Sequence, residues 1–372
     1  MDPQAQFCHD PDCPARGVVG QGNIQIHSRT ERRYKCTTCG RTFAQTRGTP
    51  FYRKRTAHDV VTTVLCLLTH GCPPQAIVAA FGFDQRTVAA WQQQAGGHCQ
   101  QVHTHVVQHG RVDLQHVQAD EMWVKMVGRR VWMALAMAVP SRLWLGGVIS
   151  PRRDLPLITT LVRMVRSCAL RPAILVCVDG LVSYVTAFRR VFRDPVRTGR
   201  AGRPRLRAIP GLLIGQVIKR TEKRRVVDVT RRVVLGTAAA ITAVLLATGT
   251  GTVINTADIE RLNATFRGAM TPLVRRGRAL ARTEETLQAG MFLVGTAYNF
   301  CWEHESLRLE TGPDARRKWQ GRTPAMAAGL TDHRWTMTEL LTHRVPPPPW
   351  VAPKRRGRPP KPKHQPEDAV AA

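Results

Sequence analysis

Apolar and polar positions divide the chain into stretches of different period. Residues 1–55 hold short alternating runs, NIQIHS and RRYKC, which predict small strands around the turn-rich YKCTTCGRTF. Residues 56–97 change to helical spacing. HDVVTTVLCLLTHG reads as a helix closing at Gly71, and CPPQAIVAAFG as a short helix opened by prolines. FDQRTVAAWQQQAG reads as a third helix, N-capped by Asp84 and closing at Gly96. In residues 110–310 the runs become strand-length. VDLQHVQAD, RVWMALAMAV and LWLGGVIS predict three strands with turns at Gly128 and 140–142. PLITTLVRMVRSCA is an amphipathic helix, AILVCVDG a fully apolar fourth strand ending in Asp179, and LVSYVTAFRRVF another helix.

Three antiparallel strands, a helix and a buried strand are the opening of an RNase H-like sheet, so an α/β core of that kind is expected over 110–310. A basic insertion, about 193–236, interrupts it. It begins as the exposed RDPVRTGRAGRPRLR, and QVIKRTEKRRVVDVTRRVVLG predicts a β-hairpin extending it. The stretch 233–256 is long and uncharged, but its Gly and Thr residues and the break at TGTGT predict a buried helix followed by the strand TVINT, not a membrane span. A helix starting near Asp258 then carries Glu260. From 345 the chain is Pro-rich and basic without apolar periodicity, the composition of a disordered tail.

Charge narrows the partner. There are 55 Lys and Arg against 26 Asp and Glu, a formal net charge of +29 spread along the whole chain. Such an excess suits a polyanion, whose phosphates it neutralises with release of counterions. Within the helical segment, helix, short helix, turn and helix is the helix-turn-helix order. It places Gln85, Arg86 and Trp91 on or near a recognition helix. Arg203 in the insertion is a candidate phosphate contact. Arg356 and Arg358, in the RGRP of the tail, suit a narrow A·T-rich minor groove.

The ten cysteines do not form a disulfide pattern. Cys8 and Cys13 are spaced C-x4-C and Cys36 and Cys39 C-x2-C, while the others are scattered among apolar residues. Four such thiolates suit a structural Zn2+, whose binding would stabilise a module too small to fold on its core alone. His9 or His27 is an alternative to one thiol. The usage fits a reducing compartment, and MDPQAQFCHDPDC has no basic-then-apolar signal sequence, so a cytoplasmic protein is expected.

In so basic a chain, three carboxylates at the edges of apolar segments stand out: Asp120, Asp179 and Glu260. They are the hard oxygen ligands that Mg2+ or Mn2+ takes. Glu121 would point to the opposite strand face from Asp120 and is not expected as a ligand. QADEMW around Asp120, VDG at Asp179 and NTADIERLNATFR around Glu260 resemble DDE transposases of the insertion-sequence-one family. The family's signature is matched at Asn255, Thr256, Ile259, Glu260, Arg261 and Asn263. With the cysteine knuckle and the helix-turn-helix, the resemblance covers roughly 8–305. It departs after the signature, where RRGRALAR includes Arg275 and Arg276.

The resemblance implies catalysis by Asp120, Asp179 and Glu260 on two Mg2+ or Mn2+ ions, with cleavage at the ends of an insertion element and strand transfer into target DNA. It implies orienting or DNA-contacting roles for Arg261 and Asn263, double-stranded DNA as partner (terminal inverted repeats and target), a homodimer or higher oligomer on that DNA, no membrane, and a nucleoid-associated location. The competing readings are a DNA-binding regulator or domesticated derivative with an inactive core, and an RNase H-like nuclease without strand transfer. Glu222, Asp228 and Asp258 are the next candidates if Glu260 is not the third ligand.

Overall fold

The computed structural model describes residues 1–196, 199, 202–223, 225–274, 280–312 and 316–352. Arg275, Arg276, Arg356 and Arg358 lie outside them. The chain forms two compact units, Met1–Arg47 with the segment from Pro346, and Gly48–Val345.

The smaller unit is built on a three-stranded antiparallel sheet, β1 (Ile24–Ser28), β2 (Arg33–Cys36) and β3 (Thr42–Ala44). Ile24, Tyr34 and Phe43 make a small core with the buried cysteines. The first residues of the basic tail belong to this unit. Gly17 has φ +71, and a Cβ there would lie 2.2 Å from the Pro347 carbonyl oxygen, so only glycine permits that approach.

The larger unit begins with α1 (His58–Thr69), α2 (Pro74–Phe81) and α3 (Gln85–Val102). Asp84 caps α3 as expected, accepting from the Arg86 amide at 2.7 Å. The helix does not close at Gly96. It runs to Val102 and passes into a π-helical turn at His103–Gln108. Gly96 is there for packing, since a Cβ would come within 2.4 Å of the Ala289 backbone. Trp91 is buried in the core and does not face outward from a recognition helix.

A six-stranded mixed sheet follows: β4 (His116–Met126), β5 (Arg129–Ala138), β6 (Leu143–Ser150), then after α4 (Leu155–Cys168) β7 (Leu175–Asp179). After α5 (Val182–Val191) comes a small exposed hairpin of β8 (Arg193–Val196) and β9 (Arg205–Ala208). The main sheet ends with β10 (Leu213–Glu222) and β11 (Arg225–Leu235). Its order is β11-β10-β7-β4-β5-β6, with β4, β5 and β6 antiparallel, β7 parallel to β4 and to β10, and β11 antiparallel to β10. The apolar run of β7 fits its place between two parallel neighbours, with cover on both faces. The first expected strand starts four residues late, at His116, so Asp120 sits within β4 and not at its end.

α6 (Ala238–Ala247) sets Ile241 and Leu245 against the sheet. TVINT, read as a strand, is irregular backbone that leads into α7 (Ala257–Ala269), with Ile254 turned into the core. α8 (Glu284–Phe300) is buried on every side from Ala289 onward, with Gly295 against the Trp144 ring. It packs on both α3 and β6, so the helical segment and the sheet share one core. The short α9 (Pro324–Ala327) and α10 (Met337–Thr342) complete the unit. Among the described residues no helix is long and apolar enough to cross a membrane.

Candidate active site and metal centres

The parallel pairing of β4 with β7 ends at Ala119 opposite Val178. The next residues on the two strands are Asp120 and Asp179, so the register alone sets these carboxylates side by side. Asp120 is held by Asn263 of α7, whose Nδ2 donates to Oδ2 at 2.8 Å. The Asp179 Oδ1 accepts from the Leu181 amide at 3.0 Å, and its carbonyl accepts from the buried Gln216 at 3.0 Å. Glu121 joins them: one oxygen each from Asp120, Glu121 and Asp179 lies within 4.8 Å of the others. This corrects the expectation that strand alternation takes Glu121 out of the group.

Glu260, on the first turn of α7, is exposed and lines the same cleft of about 740 Å3 as Asp120, Asp179, Lys219, Asn263 and Arg267. It is not in the tight group of carboxylates. Its Oε1 accepts hydrogen bonds from Lys219 Nζ at 2.5 Å and from Thr256 Oγ1 at 2.9 Å. The start of α7 is fixed by Gln118, a buried residue that the sequence reading passed over. Its Oε1 accepts from the Asp258 and Ile259 amides at 3.1 and 3.0 Å, and its Nε2 donates to the Asn255 carbonyl at 3.1 Å. The strand that carries Asp120 therefore also caps the helix that carries Glu260.

Burial, followed by the charges of Glu121 and Asp179, pushes Asp120 up to about 7. Burial and Asp179 also raise Glu121, against the opposing pull of Tyr184 and Arg153. A divalent cation would relieve this repulsion with oxygen ligands, so the group fits Mg2+ or Mn2+.

The other candidates separate. Asn263 is 1 % exposed and stands at the wall of the acidic cleft, where its Nδ2 donates to Asp120. Arg261 is exposed but lines a different cleft, with Arg142, Asp258 and His304. Gln85 and Arg86 are exposed at the start of α3, and Arg203 is exposed before β9. Of the reserve ligands, Asp258 pairs with Arg142, Glu222 with Arg220, and Asp228 accepts from Thr230.

In the smaller unit the Sγ atoms of Cys8, Cys13, Cys36 and Cys39 all lie within 4.8 Å of one another. Cys8 to Cys39 is 3.6 Å and Cys13 to Cys36 is 3.9 Å. Four thiolates about 2.3 Å from a tetrahedral Zn2+ stand about 3.8 Å apart, so the spacing fits zinc. Burial works against ionising Cys36, but the Cys39 and Thr38 amides outweigh it and bring the thiol down to about 7. His9 packs between the rings of Phe7 and Phe43 and is outside the group.

No family model matches this chain, and no curated protein does.

Proposed function

We propose that the chain is a metal-dependent DNA-cleaving and strand-transferring enzyme, a transposase of the DDE type. The observation that carries this reading is the placement of Asp120 and Asp179 at the end of a shared parallel pairing, with Glu260 facing them across one cleft. Three antiparallel strands followed by two parallel to the first is also the strand arrangement of an RNase H-like core, which supports it further. Lys219, Arg153 and Arg267 at the cleft give a polyanion backbone a landing place beside the acids.

Asp120, Asp179 and Glu260 would hold the ions, which when bound supply activation of the attacking hydroxyl and charge stabilisation at the phosphate. Asn263 keeps the Asp120 carboxylate aimed into the cleft. Lys219 and Thr256 hold Glu260 at its rim, and Gln118 ties both acids to one rigid junction. Zn2+ on the four cysteines would be structural. Gln85 and Arg86 would meet base edges from the start of α3, with Arg203 and the tail on the phosphate backbone. An oligomer would form on double-stranded DNA.

The test is cleavage and joining of labelled element ends in Mg2+ by Asp120→Asn, Asp179→Asn and Glu260→Gln. Each should lose both activities by orders of magnitude while DNA affinity survives. A Glu260→Gln enzyme with near-parent cleavage would remove Glu260 from the metal set.

A further inference from the structure

Arg153 lies between β6 and α4, and its guanidinium reaches into the acidic cleft. Its Nε donates to Glu121 Oε1 at 2.5 Å, and its Nη2 contacts the same carboxylate. Nη2 also reaches Asp179 Oδ2, at a longer 3.2 Å. The guanidinium carbon sits 5.1 Å from the centre of the Trp132 ring, a cation–π contact that adds a third hold on the fork. The two acids hold it unequally. The Glu121 side chain is fully buried, and its second oxygen is taken by the buried Tyr184 hydroxyl at 2.7 Å. A buried carboxylate keeps its cation, because releasing it would leave an uncompensated charge. Asp179 is half-exposed and gives only the one long contact.

We propose that Arg153 binds a backbone phosphate of the nucleic acid in the cleft, anchored by Glu121, Tyr184 and Trp132, and exchanges its Asp179 bond for that phosphate. Glu121 is then a positioning residue and not a metal ligand, since its fully buried carboxylate is held by Arg153 and Tyr184 and, unlike Asp120, Asp179 and Glu260, does not line the cleft. A planar fork with five donors can keep two on Glu121 and turn others to a phosphate, which a point-charge ammonium does not do. The inference rests on the DNA-processing reading above.

The test uses the full-length, zinc-loaded protein. Mn2+ binding without DNA, DNA affinity across a salt series, and single-turnover cleavage are measured for Arg153→Lys, Arg153→Gln and Glu121→Gln. The double variant Arg153→Gln/Glu121→Gln guards against misfolding from a stranded buried charge. The Arg153 variants and the double should keep Mn2+ binding, with the slope of log affinity against log salt reduced by about 0.9, one phosphate contact, in Arg153→Gln and the double and by less in Arg153→Lys, which keeps the charge. Single-turnover cleavage should fall about tenfold or more, with Arg153→Lys only partly restoring it. Glu121→Gln should retain Mn2+ binding and share the DNA defect. If a folded Arg153→Gln keeps the parent salt slope and cleavage, the inference is wrong. Loss of Mn2+ in Glu121→Gln with DNA affinity unchanged would make Glu121 a ligand and Arg153 only its counterion, which also overturns it. A parent protein that neither binds nor cuts DNA would instead overturn the functional reading.

Discussion

Asp120 keeps its proton up to a pH at which an ordinary aspartate is ionised, and this gives the fold a titration of known sign. Its pKa of about 7 in the fold lies above the value of about 4 in an unfolded chain. Its contribution to stability is therefore complete below about pH 4 and is lost as pH rises toward 7. His103 and His116 act oppositely: burial lowers them to about 3 and about 4, so they cost stability as pH falls below about 6.5. The difference between parent and Asp120→Asn isolates the aspartate. Without added Mg2+, the melting temperature of the parent should fall relative to the variant between pH 4 and 7, and Mg2+ near pH 7 should reverse that fall. A pH-independent difference would show that the carboxyl is not raised. Asp120 and Asp179 were legible in the sequence because each acid closes an apolar run. Gln118 was not, because its partners lie 137 to 141 residues further along and nothing local marks a buried amide that caps a distant helix. Glu121 was misjudged because alternation describes where a Cβ points, while the pairing of β4 with β7 stops at Ala119, so just past the end of β7 a long glutamate reaches Asp179.

At the scale of elements, α3 shows two glycines with opposite meanings. In a helix interior Gly is about 1 kcal/mol less favourable than Ala, so propensity alone favours alanine at both positions. At Gly97 nothing lies within 4 Å of a new Cβ, and Gly97→Ala should stabilise by about 0.5–1 kcal/mol. At Gly96 the new Cβ would meet the Ala289 carbonyl oxygen at 2.3 Å. Backbone does not yield as a side chain does, and overpacking costs about 1–3 kcal/mol or more, so Gly96→Ala should destabilise. Urea denaturation of the two variants gives the comparison, and equal shifts would refute it. The same contact explains why the third helix was read short: a packing glycine and a terminating glycine look alike in sequence. α8 escaped notice because a helix buried on every side over most of its length has no one-sided apolar stripe. The first four strands of the sheet were legible, since length and turns are local. β10 and β11 were legible as a hairpin but were assigned to the basic insertion, whereas β10 pairs with β7 and the hairpin belongs to the main sheet, a long-range pairing that nothing local marks. TVINT has strand composition, but Ile254 alone is drawn inward and the backbone stays irregular.

For the whole molecule, the charge of +29 and the gathered cysteines were visible at once, whereas the division of the chain was not. Zinc content is the direct check on the smaller unit. Purified protein should hold about one Zn2+ per chain, and Cys36→Ser should lose it together with the fold of that unit, while Gly48–Val345 keeps its melting transition. Full zinc in the variant would refute the assignment. The sequence suggested modules laid end to end, but the approach of Gly17 to Pro347 joins the beginning of the chain to residues near its end. Topologically the larger unit is nested inside the smaller one, entered after Arg47 and left before Pro346. Two peptide crossings then tether what a linear arrangement would hang on one. A protease cut at the first crossing should leave a particle that still elutes as a single species, its severed piece held to the segment from Pro346 by packing, while the metal, whose four candidate ligands all lie on that piece, keeps the piece folded for that contact. Chelation should then set that 47-residue piece free.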